Sequence, residues 1–217
     1  MGLNTRPHDL LQLTVGGPWE AALPHQARTS LTVGGPWEAA LPHWARASLA
    51  ACPWAVVRRA PHPPGLVPVG VRGPSRSQRH AALVPTAAVI RRVAPEALRL
   101  RPLLPHLAAT FSGVARLLDG TAIWGPTGAV GFELATGCQV THPGSDLDLL
   151  VRTPYRWDRA GAARLAESFA ALPGRVDCLL ETPRGGVNLV EWARTCGPVM
   201  VRTAQGPRLV SDPWEPV

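Results

Sequence analysis

Gly144-Ser145-Asp146-Leu147-Asp148-Leu149-Leu150-Val151 is the stretch on which the reading of this chain turns. Side chains alternate along a strand, so Asp146 and Asp148 share one face while Leu147 and Leu149 point to the opposite, buried one. Two carboxylates this close at a strand start repel each other unless a cation sits between them. Hard oxygen ligands of this kind suit Mg2+, which keeps its waters and completes its shell with substrate phosphates. A third carboxylate, Asp177, lies inside the next strand pattern, Arg175-Val176-Asp177-Cys178-Leu179-Leu180, where an unpaired charge is costly. If the two strands are neighbours, Asp177 joins the metal site or accepts a nucleophile's proton. The alternative is a structural Asp paired with Arg175. Upstream, Gly125-Pro126-Thr127-Gly128-Ala129-Val130-Gly131 can open a helix whose free N–H groups bind phosphate.

Working outward, Leu100, Leu103, Leu104, Leu107, Phe111, Val114, Leu117 and Leu118 recur at helical spacing over 97–118, with Pro102 and Pro105 restricting the start. Strands are predicted at 122–124, 147–151, 176–180, 199–202 and 208–210. Asp158 is placed to cap a helix that ends at Pro173-Gly174, and another helix is expected over 187–194. The pattern indicates an α+β or α/β fold, with a mixed sheet and flanking helices in this half. Before residue 95 the texture is different. Ala55–Val57 reads as a strand, and VPVGVRGPSRSQRHAALV (Val67–Val84) reads as a loop carrying Arg72, Arg76 and Arg79, either solvated or gripping phosphate. The expected organisation is a smaller, β-rich, basic domain over 1–95 and a catalytic domain over 96–217.

The charge follows the same division. The chain of 217 residues has a net charge of +7, and all 22 of its basic residues are Arg. Residues 1–95 hold ten Arg against three acids, which accounts for the whole excess, and residues 96–217 are balanced. Guanidinium is the better bidentate partner for phosphate, so a basic first half suits a polyanionic ligand. Gly (21) and Pro (24) make up about a fifth of the chain, short of the low-complexity range. No apolar run approaches the ~20 residues of a membrane span, and the N-terminus has no signal-peptide pattern, so a cytoplasmic protein is expected. Cys52, Cys138, Cys178 and Cys196 are scattered, with no CxxC pair and no Cys/His cluster at zinc spacing.

LTVGGPWEAALPH occurs twice, at Leu13–His25 and Leu31–His43. Two copies are too few for a solenoid. The second copy carries Trp44 where the first has Gln26, and it leads directly into the Pro53–Arg59 strand segment. The second is therefore expected to hold the packed position, and the first to be a surface insertion.

The Gly-rich turn, the Asp146/Asp148 pair and Asp177, in that order, resemble the nucleotidyltransferase superfamily of DNA polymerase β. Ala129 stands where that superfamily usually carries Ser, and the gap to Asp146 is longer than typical. A more specific likeness is carried by Arg6-Pro7-His8-Asp9-Leu10-Leu11, Pro53–Arg59, Val67–Val84, WGPTGAVGFELATG, THPGSDLDLL, Val176-Asp177 with Glu181-Thr182-Pro183, and Asp212-Pro213-Trp214. These resemble the phosphoribosyl-dephospho-CoA transferases of malonate decarboxylase over nearly the whole chain except one copy of the duplication. The resemblance implies transfer of triphosphoribosyl-dephospho-CoA to a serine of the apo acyl carrier subunit, forming a phosphodiester and releasing diphosphate. It implies Mg2+ as cofactor, held by the catalytic Asp146, Asp148 and Asp177. Thr127, Gly128, Ser145, Arg72, Arg76 and Arg79 would bind the substrate. Neither a membrane nor a nucleic-acid partner is expected. Two rival readings are a nucleotidyltransferase with a small-molecule or RNA acceptor, and a non-catalytic nucleic-acid-binding homologue. Against the second, the chain has one Tyr and three Phe, few platforms for base stacking besides Trp.

Overall fold

Val67, Val69 and Val71 alternate through a segment dense in Gly and Pro, and the alternation prevails. In the computed structural model, which describes residues 4–15, 37–75, 77–98 and 104–215, this segment is not a loop. It is an antiparallel hairpin of β3 (Leu66–Arg72) and β4 (Arg79–Pro85), whose Gly73 N–H donates to the Gln78 carbonyl just beyond the strand ends. The valines are buried; Pro68 and Gly70 stand between them within β3, and Gly73, Pro74, Ser75 and Ser77 follow the strand. The loop expected over Val67–Val84 is thereby corrected. Arg72 and Arg79 stand opposite each other at its end, while Arg76 lies outside the described residues.

The chain divides into two units, 1–94 and 95–217. In the first, β1 (Leu10–Leu13), β2 (Trp54–Val57), β3, β4 and β5 (Val89–Val93) form an antiparallel sheet in the order β4-β3-β2-β1-β5. Helix α1 (His43–Ala51) covers it with Ala45 and Leu49, one turn apart on one face. A 3-10 turn at Trp37–Ala40 precedes the helix and buries Trp37 beside Leu41 in the same core. Trp37 and Leu41 belong to the second copy of the duplication, while Leu13, the first residue of the first copy, is buried in the same core at the end of β1. Residues 16–36, with most of the first copy, lie outside the described residues. Trp44 packs partly buried against this core and meets His80 edge-on at 6.4 Å.

In the second unit, six strands take the order β11-β10-β9-β8-β7-β6. They are β6 (Ile123–Pro126), β7 (Leu147–Arg152), β8 (Val176–Thr182), β9 (Gly185–Asn188), β10 (Val199–Thr203) and β11 (Gly206–Val210). Among the described residues β7 and β8 form the one parallel pair, joined through a helix; the fold is mixed α+β. The helices are α2 (Pro105–Leu118), α3 (Gly128–Thr136), α4 (Arg159–Ala170) and α5 (Leu189–Arg194). Helix α2 starts at Pro105, whose missing N–H is harmless in a first turn, and buries Leu107, Phe111, Val114 and Leu118. Asp158 caps α4 as expected, accepting from the Gly161 N–H at 2.6 Å. The helix expected over 187–194 is shorter: Val187 and Asn188 belong to β9, and Asn188 caps α5. Arg159 holds the end of α5, stacking on Trp192 at 3.8 Å and donating to the Trp192 carbonyl at 2.8 Å. Trp214 packs on Trp192 at 5.0 Å and donates its indole N–H to the Thr153 carbonyl at 2.7 Å. No helix among the described residues is long and apolar enough to cross a membrane.

Trp37→Ala is expected to cost about 3–5 kcal/mol, the usual range for truncating a buried Trp. Trp19→Ala, the same change in the first copy, should cost less than about 1 kcal/mol. Deleting Thr14–Leu31 should leave the melting temperature almost unchanged. Denaturant unfolding and thermal melts check all three.

Candidate active site

The register of the parallel pair sets the geometry. Leu147 pairs with Val176 and Asp148 with Asp177, so these two carboxylates are side-by-side neighbours on one face of the sheet. Leu147, Leu149 and Cys178 point to the helix-covered face and are buried. Asp148 is half-buried and Asp177 exposed. One step earlier in the register Asp146 falls beside Arg175, whose guanidinium lies 3.7 Å from Asp146 Oδ2. Both side chains are well exposed, and such a pair contributes little stability. Arg175 thus serves Asp146, not Asp177. The partner of Asp177 is Asn188, which donates from Nδ2 to Asp177 Oδ1 at 2.9 Å.

Gly128 opens α3 against this row. Its φ is +59°, and a Cβ built on it would lie 1.7 Å from Asp148 Oδ2, so only glycine lets the helix start touch the carboxylate. The Thr127 N–H donates to the Asp148 carbonyl at 2.8 Å, tying the end of β6 to β7. The Thr127 side chain makes no capping hydrogen bond to α3. Ser145 sits in a tight turn: its N–H donates to the His142 carbonyl at 2.8 Å, and its Oγ accepts from the His142 N–H at 3.0 Å. His142 Nδ1 accepts from the Gly144 N–H at 3.1 Å, which makes it the unprotonated ring nitrogen. Thr127, Gly128 and Ser145 therefore lie on segments that enter the carboxylate strand or abut it. Arg72 and Arg79 lie in the other unit, Arg79 exposed and Arg72 half-buried. A cavity of about 430 Å³ in the first unit is lined by Thr5, His62 and Thr86, among others, and by no carboxylate.

Among the described residues no three His, Cys, Asp or Glu side chains gather into a metal-holding group. Asp146 and Asp177 are each engaged by a neighbouring side chain. The donor set still fits Mg2+, which commonly takes one or two carboxylates and draws the rest of its shell from water and phosphate. Asp148 and Asp177 are such a pair, and Gly128 carries no side chain that would displace the Asp148 carboxylate.

Two residues were absent from the sequence reading. Asn188 lies eleven residues beyond Asp177, and only the β8–β9 pairing brings them together. Its signal was the helix-start pattern Asn188-Leu189-Val190-Glu191. Glu133 on α3 accepts from the Thr141 N–H at 2.9 Å, Thr141 Oγ1 at 2.8 Å and the Val140 N–H at 3.0 Å, anchoring the segment that leads to Asp146. Burial pushes the Glu133 carboxyl up, but the hydrogen bonds from Thr141 and Val140 outweigh it and leave the group below the ordinary glutamate range.

A carboxyl lowered by folding stabilises the protein above its unfolded pKa, and that contribution is lost as pH falls through the folded value. Glu133→Gln is therefore expected to melt below wild type at about pH 7 and to approach it at about pH 3. Thermal melts at the two pH values check this. Gly128→Ala should abolish activity, since the new methyl displaces Asp148 or the start of α3.

The family model described as phosphoribosyl-dephospho-CoA transferase MdcG C-terminal domain matches residues 92–213, and the corresponding N-terminal domain model matches 6–95. The phosphoribosyl-dephospho-CoA transferase of Pseudomonas putida (strain W619) is 44% identical over 211 residues, covering 96% of this chain and 95% of the relative. The enzyme of that name from Pseudomonas aeruginosa is 46% identical over 166 residues, covering 73% and 78%. The one from Azotobacter vinelandii is 45% identical over 177 residues, covering 78% and 84%. No solved structure matches. Two family models that between them span 6–213, and relatives at this identity over most of both chains, show that the chain belongs to the phosphoribosyl-dephospho-CoA transferase family.

Proposed function

We propose that this chain transfers the triphosphoribosyl-dephospho-CoA precursor to a serine of the apo acyl carrier subunit of malonate decarboxylase, through a nucleotidyltransferase-like site. The serine oxygen attacks the phosphorus nearest the ribose, an O–P phosphodiester bond forms, the bond to diphosphate breaks, and the serine proton leaves to a nearby base. The observation that carries this reading is the pairing of Asp148 with Asp177 on one sheet face, against the glycine start of α3. Phosphoryl transfer asks for charge neutralisation and in-line positioning more than for covalent chemistry. Mg2+ held by Asp148 and Asp177, with Asp146 free to exchange Arg175 for it, would supply that neutralisation. In the alternative role, Asp177 would take the serine proton. The segment at Thr127-Gly128 and the turn at Ser145 offer backbone and hydroxyl donors to the triphosphate. Arg72, Arg76 and Arg79 belong to the basic first half and are proposed to bind the phosphates of the precursor.

Incubating the chain with apo carrier protein, precursor and Mg2+ and measuring intact mass tests the assignment. A carrier mass raised by one prosthetic group supports it. No mass gain, with label from plain ATP passing instead to a small molecule or RNA, favours the rival nucleotidyltransferase reading. Asp146→Asn and Asp148→Asn are each expected to lower transfer by at least about a hundredfold while the fold is kept; near-wild-type activity in either defeats the assignment. Arg76→Ala and Arg79→Ala should raise the precursor KM more than the carrier KM. Unchanged KM values would return these arginines to a solvated role.

A further inference from the structure

We infer that Asn188 is a positioning residue for the transfer, acting through Asp177; this rests on the reading that Asp177 takes part in the reaction. Two sets of bonds fix the orientation of its amide. Asn188 Oδ1 accepts the first free N–H groups of α5, from Val190 at 2.9 Å and Glu191 at 3.1 Å. Those groups can only donate, so the oxygen must face them and the NH2 must face Asp177, where Nδ2 donates to Oδ1 at 2.9 Å. The amide is itself held firmly. Asn188 is the last residue of β9, its Cα paired with Leu179 on β8, and α5 is anchored behind it by buried Leu189 and Trp192.

An exposed Asp on a strand is free to rotate about its side-chain bonds. The amide bond engages one oxygen of Asp177 and leaves the other for substrate or cation. Glu191, the acid that would complete a capping box, is occupied elsewhere, accepting the Met200 N–H at 2.6 Å. Asn188 therefore does two separable jobs, and its substitutions can be sorted by which job they keep. Aspartate and serine remain good helix caps but offer Asp177 no amide donor; alanine keeps neither function.

The test uses the full chain with apo carrier protein, precursor and Mg2+, following kcat, both KM values and the melting temperature. Asn188→Asp and Asn188→Ser are expected to melt close to wild type while kcat falls about 10–100-fold with the carrier KM unchanged. Asn188→Ala should lose comparable kcat and also melt lower. Wild-type kcat in the Asp or the Ser variant overturns the inference, as does a loss of kcat that simply follows the melting temperature across the three. A second readout needs no turnover: the Asn188 side-chain amide resonance should shift in Asp177→Ala, and an unmoved resonance also overturns it. Full transfer activity in Asp177→Asn would instead defeat the role given to Asp177, so the two failures are distinguishable.

Discussion

Two like charges set side by side are the constraint around which the second unit is organised. Asp148 and Asp177 are brought together by the parallel register of β7 and β8, and nothing in their own chemistry favours the contact. The attraction comes from the other face of the same strands. Leu147, Leu149, Val151, Cys178 and Leu180 bury against the helices, and a one-residue slip of β8 would turn its apolar residues out to solvent. The hydrophobic pattern thus enforces a pairing that electrostatics opposes. Such an arrangement is useful where a cation is to be received.

The surroundings of that row are built in tiers. The touch of Gly128 on Asp148 limits what can stand at the start of α3. Glu133, farther along the same helix, gathers the N–H groups of Val140 and Thr141 and so sets how the chain approaches Asp146. On the opposite flank, Arg159 and Trp214 hold Trp192, and with it the short helix that Asn188 caps. A six-residue helix has little stability of its own, so these contacts are what keep its first residue in place.

Much of this was legible in the sequence because period and composition agreed. The apolar alternation at 147–151 and 176–180 marks both central strands, and the spacing of Leu107, Phe111, Val114 and Leu118 marks α2 once Pro105 is allowed to start it. Asp158 as a cap was equally plain. The β3–β4 hairpin was hidden because Gly and Pro within β3, and Gly, Pro and Ser after it, obscured three alternating valines. Arg175 meets Asp146, and not the alternative partner Asp177, for a geometric reason. Residues two apart on a strand are roughly 6.5–7 Å apart, whereas the neighbouring strand is about 4.8 Å away, so Arg175 reaches Asp146 across the pair before it reaches Asp177 along its own strand. The helix-start pattern marks Asn188 as a cap, but its bond to Asp177 is not legible locally, since it depends on the β8–β9 register.

Cys178 shares a strand with Asp177 but points the opposite way, into the core. Burial first, and the negative charge of Asp177 second, push its thiol well above the ordinary range, so the reactive thiolate is suppressed in the folded protein. Cys196 is also a free thiol, but an exposed one. Of these two free thiols, Cys196 should therefore react promptly with a thiol-directed dye, and Cys178 only when β8 leaves the sheet. The delay between the two reactions is a clock for the opening of the carboxylate strands. It is built into the native sequence and requires no engineered probe.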